Sequence, residues 1–547
     1  MDLGGILLHL EARSMATVLI AGLLVYWVGS AIFLAVLHPL AKFPGPKLAA
    51  ASDWWLVYHE WFLGKSLTDI LFDLHQNYGT INVPYGGLQD LWLDMDRIAY
   101  VVQSLTWESA LEANSLVKLH FSSMQAYSDI YNVKSKWDKD PEVYKAIVDT
   151  SSAFGLRNYH EAKERRDLIW PFYSRQSVQR MQKAINRQVG YRELFRTRTF
   201  LVDQLDKQNQ EGKLSNMSMA FRCLAQDIMA DICLGKSFGT LEERDFGSPL
   251  IHALDEGLES YVLMKSFPTL RNILYSISAM VTLPGEAEFA TYGTIVADHV
   301  TRGIQQPDTI PPNTMLGFLV PTSSNTAKEA PQPKLSQGHM TEELQTFVIG
   351  AGETVASAMV QGLSGILQSP DLYKNVYEEI VQVWPETDGP VPPIEVLEKL
   401  TLLTAVIKEA LRLTHGVVTP LARVVSAGGA CIDGHHVPGG TSVGTSHVFI
   451  HMSSDYYDAP DEFRPERWLG SSSDKHLVAF SKGPRGCMGI NLAWCQLYLV
   501  LATLVRTVQM EYPADLNDIK IKWKDCFQPL YYGRPLQVRC TRAEGHS

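Results

Sequence analysis

Apolar residues recur at three- and four-residue spacing along most of the chain after residue 140, which is typical of helices that bury one face. The clearest runs are residues 178–195, 219–234, 344–367 and 397–413. Apolar and polar residues alternate only in short stretches such as 430–447, where Pro-Gly-Gly at 438–440 predicts the turn of a β-hairpin. The pattern therefore predicts a mainly α fold with small β-sheets.

Residues 305–338 are rich in proline, glutamine, serine and threonine, and this composition predicts a surface loop. The sequence Met-Thr-Glu-Glu follows at 340–343. A threonine before two acidic residues is a helix-start signal, so Thr341 is the predicted N-cap of the next helix.

Residues 16–37 carry no charged side chain, and a helix of this length crosses a hydrocarbon core of about 30 Å. We predict a short N-terminal segment (1–15), a single transmembrane anchor (16–37), a proline-rich linker (38–50) and one catalytic domain (51–547). A cleavable signal peptide is the alternative, but the apolar run is long and no small-residue cleavage site follows it. Lys42 and Lys47 follow the anchor, so the positive-inside rule predicts a cytosolic catalytic domain.

The 547 residues are 46% hydrophobic and 20% charged, which is the composition of a globular protein. The net charge of −11 argues against a nucleic-acid partner, since nucleic-acid-binding domains present a basic face. Seven cysteines without C-x-x-C spacing argue against zinc sites and against a disulfide framework.

One of these cysteines, Cys487, lies in the sequence F-S-K-G-P-R-G-C-M-G at 480–489, ahead of an apolar, helix-compatible run at 490–504. The glycines and the proline predict a sharply bent loop that presents the sulfur at a helix N-terminus, where positive potential favours the thiolate. A thiolate in apolar surroundings is one of the few ways in which a protein holds haem iron. The alternative for a single cysteine is a small buried hydrophobic residue.

These ten residues match the signature F-x-x-G-x-R-x-C-x-G of the cytochrome P450 family at every specified position. The linker H-P-L-A-K-F-P-G-P-K-L-A-A also resembles fungal membrane-anchored members of secondary metabolism, of the trichodiene oxygenase type. The resemblance implies the cytochrome P450 fold, haem b (iron protoporphyrin IX) as the cofactor, and Cys487 as the axial ligand of the haem iron. It further implies that Phe480, Arg485 and Gly489 contribute to haem binding.

A second motif, G-A-G-E-T at 350–354, falls inside the helix predicted to follow residue 340. An adjacent acid and alcohol can pass protons, although such a pair is more often a solvated helix face. A Rossmann loop is excluded, because valine stands at position 355 and no strand precedes. The family's motif here is [AG]-G-x-[DE]-T-[TS]. Glu353 and Thr354 match it, which implies a role in oxygen activation, whereas Ala351 and Val355 depart from it and leave the second hydroxyl unfilled.

Glu409 and Arg412 stand three residues apart on one face of the apolar segment 401–413, which predicts a buried ion pair. Arg467 follows in F-R-P-E-R-W at 463–468. The pattern E-x-x-R followed by F-x-P-E-R-W resembles the family's structural triad. By this resemblance Glu409, Arg412 and Arg467 lock the loop before Cys487 and are not catalytic.

Haem propionates need cations, and the resemblance implies two further arginines beside Arg485. Arg423 follows T-P-L-A at 419–422, where family members often carry a propionate-binding arginine; a surface arginine is the alternative. The family often shows W-x-x-x-R near residues 161–166. Here Ala162 replaces the tryptophan and only Arg166 fits.

One stretch departs from the family pattern. Residues 78–80 resemble the entry to the family's first β-hairpin and residues 119–121 its exit, but residues 81–118 are too many and lack the usual turn sequence. We predict an atypical insertion over 81–118. It is either a translated intron or mis-assigned exon boundary, or a genuine segment at the membrane-facing edge of the small sheet.

The resemblance implies a haem-thiolate monooxygenase that inserts one atom of O₂ into a lipophilic small molecule, with a terpenoid or other fungal secondary metabolite as the expected substrate. No flavin- or nicotinamide-binding motif is recognisable, so electrons are expected from a separate NADPH-dependent cytochrome P450 reductase that docks near Lys482 and Arg485. Cytochrome b5 is a further expected partner, and the endoplasmic reticulum membrane is the expected location. The alternatives are an isomerase, dehydratase or peroxide-using member of the fold, and an inactive haem-binding paralogue.

Overall fold

The computed structural model describes residues 31–52, 54–85, 118–148, 150–189, 200–277, 286–320, 335–387, 389–470, 474–513 and 522–542, with isolated helical residues between 17 and 29. Part of the predicted anchor, and residues 86–117 of the predicted insertion, lie outside the described residues.

The described residues are mainly α-helical, as the hydrophobic pattern predicts. The helices are α1 (Lys47–Ala51), α2 (Trp54–Val57), α3 (Leu67–Tyr78), α4 (Met124–Ile130), α5 (Pro141–Lys145), α6 (Tyr159–Ile169), α7 (Arg175–Val189), α8 (Phe200–Gln210), α9 (Met217–Leu234), α10 (Pro249–Ser266), α11 (Pro268–Ile277), α12 (Glu286–Gln305), α13 (Met315–Leu319), α14 (Gln337–Leu367), α15 (Pro370–Val383), α16 (Ile394–Leu397), α17 (Thr401–Leu413), α18 (His447–His451) and α19 (Ile490–Thr507). Among the shorter turns are the 3-10 segments Trp170–Tyr173, Pro307–Thr309, Pro465–Trp468 and Gly483–Arg485.

The strands are short and form small sheets, which agrees with the predicted fold class. They are β1 (Ile81–Tyr85), β2 (Lys118–Phe121), β3 (Asp138–Lys139), β4 (Ser215–Asn216), β5 (Arg423–Val424), β6 (Ala430–Ile432), β7 (His435–Val437), β8 (Ser442–Gly444), β9 (Val508–Glu511), β10 (Lys522–Cys526), β11 (Gln528–Tyr532) and β12 (Gln537–Arg542).

The chain divides into two compact units. The first contains residues 1–130, 266–271 and 420–445, and the second contains residues 131–265, 272–419 and 446–547. In the first unit a sheet has the order β1-β2-β8-β5, with β1 antiparallel and β8 parallel to β2. Ile81 pairs with Phe121, so the strands lie where the sequence predicts the entry and exit of a hairpin, and the two ends of the predicted insertion are strand residues.

The core of the second unit forms around α9, α14 and α19. Helix α9 is buried along most of its length, and apolar residues such as Phe221, Leu224 and Ile228 make up most of its surface. Among the described helices, α19 alone is long and apolar enough to cross a membrane, and 78% of it is buried. Such burial is typical of a core helix, so α19 is not a membrane span. The anchor predicted at residues 16–37 lies partly outside the described residues and stays a prediction.

Helix α14 begins earlier than the sequence predicts. Its N-cap is Ser336, whose hydroxyl accepts from the His339 N–H at 3.2 Å, whereas the predicted cap Thr341 lies inside the helix and donates to the Gln337 carbonyl oxygen. Serine is as good an N-cap as threonine, because its hydroxyl can accept the same N–H of the first turn. The prediction chose Thr341 because two acidic residues follow it, whereas the hydroxyl that caps the helix is that of Ser336. The predicted loop 305–338 is also interrupted, because it contains α13.

The predicted β-hairpin is present, but its turn is misplaced. Strands β6 and β7 pair with Ile432 opposite His435, and the turn is Asp433-Gly434, with φ of +50° and +75°. Asp-Gly supplies the two left-handed residues that a two-residue hairpin turn requires. The Pro-Gly-Gly at 438–440 therefore follows the hairpin rather than forming it, and residues 447–451 are helical.

Candidate active site

The loop that carries Cys487 is closed by its own backbone. The Cys487 N–H donates to the Phe480 carbonyl oxygen at 2.8 Å, with the 3-10 turn Gly483–Arg485 between them. Gly483 has φ +73°, and a Cβ at this position would lie 2.7 Å from the Tyr131 carbonyl oxygen. Glycine alone meets both conditions, so this position fixes the bend before the cysteine.

The Cys487 side chain is exposed, although the protein atoms around its sulfur partly desolvate it. Burial raises the pKa of the Cys487 thiol, and a hydrogen bond from the Gly489 N–H and the charge of Arg166 only partly oppose this rise. The helix N-terminus therefore favours the thiolate, as predicted, but in the protein alone burial outweighs this contribution.

Two of the predicted haem-binding arginines connect this loop to α6 and to the residues just before it. Arg166 Nη2 donates to the Gly486 carbonyl oxygen at 2.7 Å. Arg485 donates to three successive carbonyl oxygens before and at the N-cap of α6, at 2.7–2.9 Å: those of Leu156, Arg157 and Asn158. Arg423 lies in the first unit, where its guanidinium donates to its own chain at Leu421 and Ala422. Propionate binding by these arginines stays a prediction.

Glu409 is the centre of a buried ion cluster. Its carboxylate accepts from Arg412 at 2.8 and 2.9 Å and from Arg467 Nε at 3.0 Å. Trp468 Nε1 and the Arg464 N–H add bonds of 2.8 and 2.9 Å. Burial acts to raise the pKa of Glu409, but the hydrogen bonds and charge of Arg412 outweigh burial and lower it. The structure thus brings Glu409, Arg412 and Arg467 together and keeps the carboxylate charged.

His451 connects this cluster to the segment that precedes Cys487. Arg412 Nη1 donates to the His451 carbonyl oxygen at 2.9 Å, and the Val478 N–H donates to His451 Nε2 at 2.9 Å. Burial lowers the pKa of His451 well below its usual value, so the neutral ring can accept this bond. The Val478 carbonyl oxygen in turn accepts from the Ser481 N–H of the loop at 3.0 Å.

The acid and the alcohol of the second motif have different surroundings. Glu353 is only 5% exposed, and Arg222 Nε donates to its carboxylate at 2.5 Å while also binding Asp255 through both Nη atoms at 3.0 and 2.6 Å. Burial raises the pKa of Glu353, and the charge of Arg222 opposes that rise. Thr354 is partly accessible and donates to the Gly350 carbonyl oxygen at 3.1 Å. A solvated helix face is therefore excluded for Glu353.

Gly352 is the point at which α9 approaches α14 most closely in this motif. A Cβ at Gly352 would lie 2.3 Å from Gln226 Nε2, whereas a Cβ at Gly350 would meet nothing within 4 Å. Gln226 stands one turn after Arg222 on α9, so the same helix face supplies the partner of Glu353 and the side chain against Gly352.

Residues 124–529 match the family model of cytochrome P450. The chain belongs to the cytochrome P450 family. Three of its curated relatives are the following fungal proteins. Cytochrome P450 monooxygenase flvC of Aspergillus flavus is 97% identical over 547 residues, which is all of both chains. Cytochrome P450 monooxygenase sol6 of Alternaria solani is 26% identical over 86% of this chain and 95% of its own, and cytochrome P450 monooxygenase cpaH of Aspergillus oryzae is 27% identical over 97% and 94%.

Haem is the prosthetic group of this P450 family, and the residues around Cys487 fit it. The Cys487 side chain is accessible, and desolvation by the surrounding protein disfavours its thiolate unless a cation binds there, which an iron ion provides. Cys487 would hold the iron, and the Gly489 N–H would hydrogen-bond the sulfur. When bound, the haem supplies the redox centre at which O₂ is reduced.

The sequence alone did not identify the partners of Glu353. Arg222 is 131 positions away along the chain, and Asp255 lies on another helix, α10. One signal was present: a mostly apolar, buried helix contains the polar residues Ser218, Arg222, Gln226, Asp227 and Asp231. A charged residue in such a helix requires a buried partner, but the sequence does not say which one.

Replacing Arg222 by leucine is expected to raise the pKa of Glu353 further, because the carboxyl group would stay buried without its counter-charge. A carboxyl group whose pKa is raised too far stays protonated and does not release its proton, so in the role that the family resemblance implies for Glu353, water-forming reduction of O₂ should slow by about 100-fold. The measurement is the hydrogen peroxide released per NADPH consumed by the purified enzyme with a reductase, which should increase. Arg187→Leu breaks a half-exposed pair with Asp231 and is the control. An unchanged peroxide yield in Arg222→Leu would contradict the expectation.

Proposed function

We propose that this P450 is a membrane-anchored haem-thiolate monooxygenase that oxidises a lipophilic small molecule of fungal secondary metabolism, with a terpenoid as the first substrate class to test. The observation that carries the proposal is the accessible side chain of Cys487 at the end of a bent loop whose sequence matches the family's haem-binding signature. The full-length relative named a monooxygenase, at 97% identity, supports the reaction type.

The reaction balances as R–H + O₂ + 2 electrons + 2 protons giving R–OH + H₂O. In this proposal Glu353 and Thr354 handle the two protons: Thr354 is partly accessible, and Glu353 beside it is buried and paired with Arg222. Raising the pKa of Glu353 makes its carboxyl group a better proton carrier near neutral pH than an exposed one.

The electrons come, in this proposal, from a separate NADPH-dependent cytochrome P450 reductase, with cytochrome b5 as a second donor. An exposed lysine in the cysteine loop, Lys482, supports a docking surface there. Its Nζ donates to the Lys475 carbonyl oxygen at 3.1 Å. Arg485 is a weaker contributor to that surface than the sequence suggested, because its guanidinium binds the three carbonyl oxygens before α6.

Attachment to the endoplasmic reticulum membrane is part of the proposal. Exposed apolar side chains in the predicted anchor support it, such as Val25, Val28 and Val36, which are 55–74% exposed. In the first unit, Trp54 and Trp61 are about half exposed and both contact the ring of Phe267, at centroid distances of 5.9 and 6.3 Å. Tryptophan is favoured at the interface between lipid and water.

Deleting residues 1–37 is expected to remove carbonate-resistant membrane retention, because the remaining aromatic surface supports only peripheral binding. The measurement is fractionation of the full and shortened chains after expression in yeast. A variant with Trp61→Ser and Phe62→Ser keeps the anchor and should remain carbonate-resistant. Carbonate-resistant retention of the shortened chain would overturn the single-anchor assignment.

The reaction itself is tested with purified full-length protein. The reduced carbon monoxide complex should absorb at the position typical of thiolate ligation, and co-expression with a reductase and candidate terpenoids should give NADPH-dependent hydroxylated products. Turnover without NADPH would favour the isomerase, dehydratase or peroxide-using alternatives. Absence of the thiolate-type spectrum would favour an inactive paralogue.

A further inference from the structure

Arg222 is the shared cation of two carboxylates that lie on different helices. Its Nε donates to Glu353 on α14 at 2.5 Å, and its Nη1 and Nη2 donate to the two oxygens of Asp255 on α10 at 3.0 and 2.6 Å. The pair with Asp255 is bidentate, and two parallel hydrogen bonds fix the plane of a guanidinium. Asp255 therefore determines how Arg222 presents its single Nε–H to Glu353.

The charges of this cluster do not balance. Among the ion pairs of the described residues, neither Glu353 nor Asp255 has a cation other than Arg222. Two carboxylates beside one guanidinium leave one negative charge without a counter-charge, and one bound proton removes that excess. Because the two carboxyl groups share one cation, they take up this proton as a coupled pair.

Burial decides which of the two carboxyl groups carries the proton. The Asp255 side chain is 31% exposed, whereas Glu353 is buried, so water stabilises the charge of Asp255 more than that of Glu353. Burial raises the pKa of Glu353, the charge of Arg222 opposes this rise, and the charge of Asp255 adds to it. The proton therefore belongs on Glu353, next to Thr354.

Two further titratable groups among the described residues act on this cluster through space. Burial raises the pKa of Cys223, beside Arg222 on α9, to about 12, and it also raises the pKa of Tyr531 on β11. Neither group loses its proton near neutral pH. On α10 itself, Glu256 and Glu259 are exposed, so water and salt screen their charges from the cluster.

We propose that Asp255 is a positioning residue for proton delivery, which engages the charge of Arg222 and so keeps a proton on the buried carboxyl group of Glu353. The inference rests on the proposed role of Glu353 and Thr354 in proton supply, and it adds a residue of α10 that the acid–alcohol motif does not contain. A proton donor works best when its pKa lies near the working pH. Arg222 by itself would make Glu353 too strong an acid, and Asp255 offsets that effect.

The test is Asp255→Asn in the full-length holoenzyme with a reductase, NADPH and O₂, so that no substrate needs to be known. Asparagine keeps the size of the side chain and one oxygen for Arg222, but it removes the negative charge. The pKa of Glu353 should then fall by about one pH unit, which lowers its protonated fraction at higher pH about tenfold.

The first measurement is the product of O₂ reduction as a function of pH. Two electrons and two protons convert O₂ to hydrogen peroxide, and four of each convert it to water. As Glu353 loses its proton with rising pH, the yield of peroxide should increase, and in Asp255→Asn the midpoint of this increase should move downward by about one pH unit. Arg222→Leu should move the same midpoint upward.

The second measurement follows the protonation of Glu353 without turnover. The carboxyl C=O stretch of Glu353 in the infrared spectrum, assigned by its loss in Glu353→Gln, should disappear at a lower pH in Asp255→Asn than in the unmodified enzyme. Asp255→Glu restores the charge and should restore both midpoints. Glu256→Gln is the matched control, because it removes an exposed charge at the next position of α10 and should move neither midpoint.

If Asp255→Asn lowers the melting temperature but leaves both midpoints unchanged, Asp255 is only structural and the inference is wrong. An upward shift would also overturn it, because Asp255 would then act by keeping Arg222 in place for Glu353 and not by engaging its charge. If the unmodified enzyme consumes no O₂ with NADPH and the infrared midpoint still moves downward in Asp255→Asn, the proposed function fails while the effect of Asp255 on Glu353 stands.

Discussion

Cys487→Ser is expected to abolish both the thiolate-type carbon monoxide spectrum and the monooxygenase activity. Serine keeps the size of the side chain and the bond from the Cys487 N–H to Phe480, so the loop should retain its shape. An alcohol, however, gives up its proton far less readily than a thiol, and it lacks the electron donation of a thiolate to haem iron. The measurements are the reduced carbon monoxide spectrum and product formation with reductase and NADPH.

Cys495→Ala is the matched control for this substitution, because Cys495 lies on α19 and its sulfur is fully buried in the core. It should retain the spectrum and the activity, with some loss of stability from the smaller side chain. If Cys487→Ser kept either the thiolate-type spectrum or the activity, another residue would have to bind the iron.

Glu409→Leu is expected to prevent accumulation of folded, haem-containing protein. The substitution leaves the guanidinium of Arg412 buried without its counter-charge, and breaking such a pair costs about 3–5 kcal/mol. That loss is a large part of the total stability of about 5–15 kcal/mol of a typical domain. The measurements are the yield of carbon monoxide-binding protein per total chain and the temperature of unfolding.

Two variants separate the ion cluster from a general effect of substitution. Glu466→Leu changes an exposed acid in the same motif and should be near neutral. The double variant Glu409→Leu with Arg412→Leu should be less damaging than Glu409→Leu alone, because it removes the unpaired charge as well. Equal stability of Glu409→Leu and Glu466→Leu would rule out a stabilising role for the cluster.

The same cluster predicts a loss of stability in acid. The pKa of Glu409 in the folded chain lies below its ordinary value of 4.5, so its contribution to stability is complete above about pH 4.5 and is lost as the pH falls further. This part of the acid sensitivity should be missing from Glu409→Gln.

Local signals in the sequence were sufficient for the fold class and for the main site segments. The period of apolar residues gave helices close to α7, α9, α14 and α17, because one buried face imposes that spacing. Errors occurred where two local signals competed. Ser336 and Thr341 are both suitable caps, and Asp-Gly and Pro-Gly-Gly are both suitable turns. In each case, packing in the folded chain chose between them.

By itself, the sequence determined that this protein is a cytochrome P450, and it predicts Cys487 as the iron ligand, since the spacing of ten consecutive residues carries that information. The tertiary structure alone decided which groups surround Glu353: Arg222 from α9 and Asp255 from α10, with Tyr531 nearby on β11. The physical reason is that the energy of a buried charge depends on its neighbours in space. Those neighbours lie on separate elements, and only packing of the core brings Arg222 within hydrogen-bonding distance of both Glu353 and Asp255.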